Sequence, residues 1–322
     1  KRELPDYSQH GEPLVQQSIK DSFDRSVQPK TAEAVSVKVP AIWHGKLDKG
    51  IEIIGTRSDE IPAVSIMIAL PGGIRAEGKG ELGLASLTAA MLGQGTARLS
   101  EAELSDELQK LGASISVSTA QYNNLITISS LTDKLPQTLA LVREVLLQPG
   151  LREADFERLK AQTLQGMKQS EQQPEWLAGQ AFRELVYGKQ NRLGQPTDGV
   201  LTDVERLTLA DVKRFYHAYY NPTNAKVVVT GDVTQQQVEQ QLGFLTEWQG
   251  AAPTLGDLKL KGEQAKAGIY LVDKPGAPQS VIRIGRRAMP FDTTGEYFVA
   301  NLMNFILGGN FNGRINLNLR ED

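Results

Sequence analysis

Apolar residues recur along this chain with two different periods. Val64, Ile66, Ile68 and Leu70 fall on every second position, as in a strand with one buried face, and the run ends at the turn signal Pro71-Gly72-Gly73. Leu84, Leu87, Ala90 and Met91 then recur at three- and four-residue steps, which predicts a helix with one apolar face. Glu81 is expected in its first turn, where the helix dipole favours a negative charge. Gly93 and Gly95 are expected to end it by adopting left-handed backbone. Upstream, Ala41 to Leu47 and Ile51 to Gly55 flank Asp48-Lys49-Gly50 and predict a hairpin. Residues 1–37 are polar and broken by Pro5, Pro13 and Pro29. There, Val15, Ile19 and Phe23 predict one face of a short helix, and the rest reads as linker.

Downstream, Ser100 and Glu103 form a capping box ahead of Leu104, Leu108 and Leu111, with Gly112 as the stop. Ala113 to Ala120 and Asn124 to Leu131 predict two strands around Gln121-Tyr122-Asn123-Asn124. Leu135, Leu139, Val142 and Leu146 mark a helix ending at Pro149-Gly150. Two more helices are predicted from about Glu153 to Glu171 and from Glu175 to Val186. Thr208-Leu209-Ala210-Asp211 caps another, bearing Val212, Phe215, Tyr216 and Tyr219, and Ala225 to Thr230 reads as a buried strand. Polar, Gly/Pro-punctuated residues from 249 to about 266 predict a boundary.

Beyond that boundary the pattern restarts. Ser65, Gly80, Glu81, Ala85, Leu87, Leu92 and Gly93 recur as Ser280, Gly295, Glu296, Ala300, Leu302, Leu307 and Gly308, all at an offset of 215 residues. Strand, turn, Gly-Glu, apolar helix and glycine stop are therefore expected twice. The boundaries drawn are a linker at 1–37, a complete domain at 38–250, an interdomain linker at 251–267 and the start of a second, truncated domain at 268–322.

Composition narrows the chemistry. The 322 residues are 40% hydrophobic and 23% charged, ordinary for a folded chain of about two domains. A net charge of −3 argues against nucleic acid or an anionic membrane as the main partner. With no cysteine, disulfides, thiol catalysis and thiolate metal sites are excluded. No apolar run approaches the roughly 20 residues that span a bilayer, and no signal peptide is read at Lys1-Arg2-Glu3. The absence of an initiator Met reads as an excised piece of a longer protein. His10, His44 and His217 fall in different elements with no helical spacing, and Glu184 and Glu205 read as solvated. No phosphate loop and no Gly-x-Ser-x-Gly elbow is present, and Ser86 has no histidine base near it in sequence.

The segment from Gly83 to Thr96 resembles the zinc helix of the insulinase/pitrilysin peptidase family, Gly-Leu-Ala-His-x-x-Glu-His-Met-x-x-x-Gly-Thr. Gly83-Leu84-Ala85, Met91 and Gly95-Thr96 keep the frame. Ser86 and Ala90 stand where the family has its two histidines, and Ala89 stands where it has its glutamate. The third ligand, a glutamate on a later helix, aligns with Gln165 or Gly166. Zinc needs imidazole, thiolate or carboxylate donors, so Ser86, Ala89, Ala90 and Gly166 are read as vacated positions. No catalytic residue and no cofactor is expected in this chain. The resemblance implies an α+β fold, a mixed sheet covered by helices. It also implies a tandem duplication in which two halves enclose an unfolded peptide and only the partner half carries zinc. Tyr219-Tyr220-Asn221-Pro222, Val229-Thr230-Gly231-Asp232, Gln279-Ser280 and Leu319-Arg320-Glu321 extend it. It implies the non-catalytic half of a bacterial zinc endopeptidase with a periplasmic location. A structural subunit like the family's respiratory-complex core proteins is the alternative. Gly308, Gly309, Asn310 and Phe311 resemble a Gly-rich loop that contacts substrate in the family's non-catalytic processing subunits, and are the candidate peptide contact.

Overall fold

In the computed structural model, residues 24, 26–27, 39–256, 258 and 266–320 are described. They fall into two units, Lys1–Val39 and Pro40–Asp322. Within the first, the Ser26 amide and hydroxyl both donate to the Asp24 carboxylate, at 2.9 and 2.6 Å. The helical face expected at Val15, Ile19 and Phe23 lies outside the described residues, as does His10.

The second unit begins with the predicted hairpin. β1 (Ile42–Leu47) and β2 (Ile51–Arg57) pair antiparallel. Lys49 takes left-handed backbone in the turn between them (φ 62°). β3 (Ala63–Pro71), β4 (Ser114–Thr119), β5 (Asn123–Leu131) and β6 (Lys226–Gly231) complete one mixed sheet in the order β1-β2-β6-β3-β5-β4. Only β2 and β6 run parallel. This is the α+β mixed sheet the sequence implies. Period-two alternation in register builds the core: Ile53, Val227, Ile68, Ile126 and Val117 lie side by side across five strands. The first four are at most 1% exposed.

The opposite face of the sheet stays open, with Ile54 at 40%, Val228 at 48% and Met67 at 42% exposure. The run Val227-Val228-Val229 therefore alternates like the other strands and is not buried on both faces, as the sequence had suggested. A mixed sheet with helices on one side needs only one apolar face, even at β6, which runs parallel to β2 and antiparallel to β3.

Helices cover the other face. They are α1 (Leu84–Leu92), α2 (Glu101–Lys110), α3 (Leu135–Leu147), α4 (Glu153–Ser170) and α5 (Pro174–Tyr187), followed by α6 (Leu201–Val204), α7 (Leu209–Tyr219) and α8 (Gln235–Gln241). The capping boxes at Ser100/Glu103 and Thr208/Asp211 both form. α1 is the most enclosed: Leu84, Ala85, Met91 and Leu92 are each 0% exposed and Leu87 is 3%.

Three details of α1 differ from expectation. It starts at Leu84, so Glu81 precedes the first turn and instead pairs with Arg214 at 2.7 Å. Gly93 keeps right-handed helical backbone (φ −76°), and the left-handed residue is Gly95 (φ 98°). Ala90 is exposed and belongs to no apolar face.

Of the elements expected again after residue 266, only helices form among the described residues. α9 (Glu296–Asn304) forms at the repeat position, widens into a π turn over Phe305–Gly309, and is followed by α10 (Arg314–Arg320). No strand forms over 266–295, although one was expected near Ser280. Strands are held by ladder partners, and Ile282 and Ile284, at 78% and 94% exposure, have no neighbouring strand to pair with. This run instead touches α5, where Arg287 Nε donates to the Val186 carbonyl at 2.6 Å.

Candidate functional site

The N-terminus of α1 is built around a buried ion pair. The Glu77 carboxylate is 0% exposed, lies 2.7 Å from the Arg192 guanidinium, and accepts the amide N–H groups of Gly83 (3.0 Å) and Ala85 (2.9 Å). These are donors a helix start leaves without intrahelical partners. Arg192 also donates to the carbonyls of Pro196 (2.9 Å) and Thr197 (3.1 Å). One carboxylate and one guanidinium thus tie the start of α1 to the segment ahead of α6. Burial pushes the Glu77 carboxyl above its ordinary range, with Arg192 and the Ala85 and Gly83 amides pulling the other way. Gly83 is required at this crossing. It has φ 99°, and a Cβ there would lie 2.5 Å from the Asp198 carbonyl oxygen.

The loop after α1 is held equally firmly. Gly95 has left-handed backbone, and a Cβ would lie 2.4 Å from the Leu99 carbonyl oxygen. The Thr96 hydroxyl accepts the Leu99 amide at 2.9 Å, and Arg152 donates to the Thr96 and Leu99 carbonyls at 2.5 and 3.1 Å.

Between α1, α4, the start of α5 and the segment before α6 lies a cavity of about 420 Å³. Ser86 and Ala90 of α1 and Gly166 of α4 all line it, so three of the four vacated positions are brought to one concave surface. Ala89 is not among them; it is 3% exposed and faces the core. The Ser86 hydroxyl lies 3.2 Å from the Asp198 carboxylate and 3.4 Å from the Thr197 carbonyl. Glu171 and Trp176 complete the part of the wall that carries chemistry. The vacated positions do not fit zinc: Ala90 and Gly166 offer no lone pair, and the Ser86 hydroxyl is neutral. Among the described residues no group of three His, Cys, Asp or Glu side chains could hold a metal ion. Sequence reasoning missed Asp198 and Trp176. Nothing in their spacing connects them to α1, which lies some 80 or more residues away.

Gly308, Gly309, Asn310 and Phe311 lie elsewhere and do not line this cavity. Both glycines sit in the π turn, and the Asn310 side-chain amide donates back to the Phe305 carbonyl. Phe311 is 61% exposed, with the Arg320 guanidinium 4.9 Å from its ring centre. Among the described residues no helix is long and apolar enough to cross a membrane.

Residues 53–197 match the family described as insulinase (peptidase family M16), and residues 206–322 match the peptidase M16 inactive domain. A relative in Helicobacter pylori described as the non-peptidase homolog YmxG is 22% identical over 286 residues, covering 87% of this chain and 65% of its own length. The crystal structure of a peptidase M16 inactive domain from Pseudomonas fluorescens superposes with a TM-score of 0.70 at 21% identity, covering 88% of this chain and 68% of that one. The probable zinc protease PqqL of Escherichia coli is 23% identical over 201 residues, 60% of this chain and 22% of PqqL. Its crystal structure, described as that of a periplasmic protease, gives a TM-score of 0.62 at 18% identity, over 71% of this chain and 26% of that chain. The chain thus spans from about a fifth to two thirds of the length of these relatives.

Proposed function

Because this chain belongs to the insulinase family of peptidases (M16), with an inactive-type domain over 206–322, we propose that it is a non-catalytic half of a zinc endopeptidase. It would act beside a zinc-bearing homologous half, helping to enclose and hold a peptide. The observation that carries this reading is the cavity itself. The helix pair that would present metal ligands is intact and converges on one concavity, yet it presents a serine, an alanine and a glycine there. A frame without donors can shape a chamber and orient a chain, but it cannot activate water. Gly308, Gly309, Asn310 and Phe311 are the proposed peptide contact: two residues without side chains allow close backbone approach, and Phe311 presents an apolar ring to solvent. A periplasmic location is part of the proposal and is supported by the likeness to PqqL.

The test is reconstitution. The chain is mixed with the separately purified zinc-bearing half, and hydrolysis of an unfolded peptide is followed. The chain alone should show no turnover, and the mixture should exceed the zinc half alone by about tenfold or more in kcat/KM, since an open site neither orients substrate nor excludes water. Stable association without any gain in activity would reject the chamber reading. Failure to associate would reject it too and favour the alternative, a structural subunit with no peptidase partner.

A further inference from the structure

We infer that the vacated cavity is a subsite for a basic side chain, lysine or arginine, of a bound polypeptide. This deepens the proposed function and rests on it for the peptide nature of the ligand. At about 420 Å³ the space lies within the roughly 300–1,000 Å³ of ordinary ligand pockets. It is open because the side chains that would fill it are missing. A Cβ built on Gly166 meets nothing within 4 Å, and Ala90 contributes only a methyl group.

The two charged residues on its wall, Asp198 and Glu171, are both acidic, and no lysine or arginine lines it. Among the described residues neither carboxylate has an ion-pair partner; Asp198 accepts only the Ser86 hydroxyl. Arg192 is engaged with Glu77 and the loop carbonyls, and Arg183 with the Gln195 carbonyl. Trp176 also lines the wall, and an indole is the aromatic ring that attracts cations best. Apolar flanks from Leu87 and Met167 suit the methylene stem that a lysine or arginine brings with its charge. Two unpaired carboxylates, an indole and an apolar flank around an unfilled space match a long cationic side chain better than an acidic or a short polar one.

The test uses the 322-residue chain without any partner half, titrated calorimetrically at low salt with blocked pentapeptides that carry lysine, norleucine or glutamate at the centre. The lysine peptide should bind at least about tenfold more tightly than the norleucine one, a difference of about 1.4 kcal/mol, and the glutamate peptide least. Asp198→Asn combined with Glu171→Gln should erase the lysine preference. Gly166→Leu, which extends a side chain into the space from a position where helix propensity improves, should weaken both the lysine and norleucine peptides about tenfold with no fall in melting temperature. Equal binding of lysine and norleucine, absence of lysine-peptide binding, a preference that survives the Asp198→Asn/Glu171→Gln variant, or affinities unchanged by Gly166→Leu overturns the inference. Because no zinc half is present, the result is separable from reconstitution: lysine selectivity without stimulation removes the chamber reading, and stimulation without selectivity removes the subsite.

Discussion

Breaking the Glu77–Arg192 pair should have effects that depend on which partner is removed. Glu77→Ala leaves a guanidinium at 11% exposure with no carboxylate, and strands the Gly83 and Ala85 amides at the start of α1. Removing one member of a buried pair costs roughly 3–5 kcal/mol and each stranded donor about 1–3 kcal/mol, with incomplete additivity, so a loss on the order of 5 kcal/mol is expected. Arginine cannot shed its proton in this range, so acid does not relieve the stranded guanidinium; the parent meanwhile gains stability as its raised Glu77 carboxyl takes up a proton, so the loss should not shrink as pH falls. Arg192→Met is different, because the carboxyl left behind can become neutral. Burial already raises it, and removing Arg192 removes the largest influence opposing that rise. With the folded value above the unfolded 4.5, the native state binds the proton more tightly, so stability falls as pH rises through that window and recovers as pH falls towards 4.5. The Arg192→Met deficit should therefore shrink on acidification while that of Glu77→Ala grows. Urea unfolding of both variants and the double variant, followed by circular dichroism at several pH values, measures this. Parallel pH dependence of the two single variants, or a double-variant cost equal to the sum of both, would refute the reasoning.

Other substitutions probe the remaining sites. Gly166→Ala should raise stability by about 0.5–1 kcal/mol, since a mid-helix glycine with open space around its Cβ position gives up propensity for nothing local; an unchanged or lower urea midpoint counts against this. Thr208→Ala should cost about 1 kcal/mol by removing the α7 cap. The Thr208 hydroxyl, with Arg214 and the Thr208 amide, holds the Asp211 carboxyl below its ordinary 3.8. Its contribution is thus present above 3.8 and is lost as pH falls through the folded value, so Asp211→Asn and the parent should converge in acid melts. Phe311→Ala should move the melting temperature very little, the ring being 61% exposed, and should raise the KM of the reconstituted peptidase; a drop of several degrees would make Phe311 a packing residue.

What the sequence made legible is what local periodicity and capping determine. The hairpin, the alternation in β3 and β5, and the Ser100 and Thr208 boxes are set by residues near one another in the chain. What it hid depends on distant partners. Val228 carries the same side chain as its buried neighbours Val227 and Val229, and only the covering of a single sheet face leaves it at 48% exposure. Glu81 suits a first helical turn by charge, but the Gly83 crossing against Asp198 delays the helix until Leu84. The alternation around Ile282 and Ile284 is a strand pattern without strand partners. Asp198, Glu171 and Trp176 became cavity residues only when α4, α5 and the segment before α6 folded back on α1.

The same geometry explains how a family's metal frame outlasts its metal chemistry. Gly83, Gly95 and Thr96 are all fixed by structure: two by backbone that a Cβ would drive into a carbonyl, and the third by a hydroxyl that orders its loop. Leu84 and Met91 fill the core at 0% exposure. Changes at these positions would cost roughly 2–5 kcal/mol each for the large apolar residues, a sizeable part of a typical domain's stability. The ligand positions carry no such constraint. Ser86, Ala90 and Gly166 look into an open cavity, where losing a metal-binding side chain creates no void in the core and strands no buried partner. Ala89, where the family has its glutamate, is the exception. It is buried at 3% exposure, so restoring a glutamate there would bury a carboxylate, and restoring the metal ligands alone would not recreate a working site.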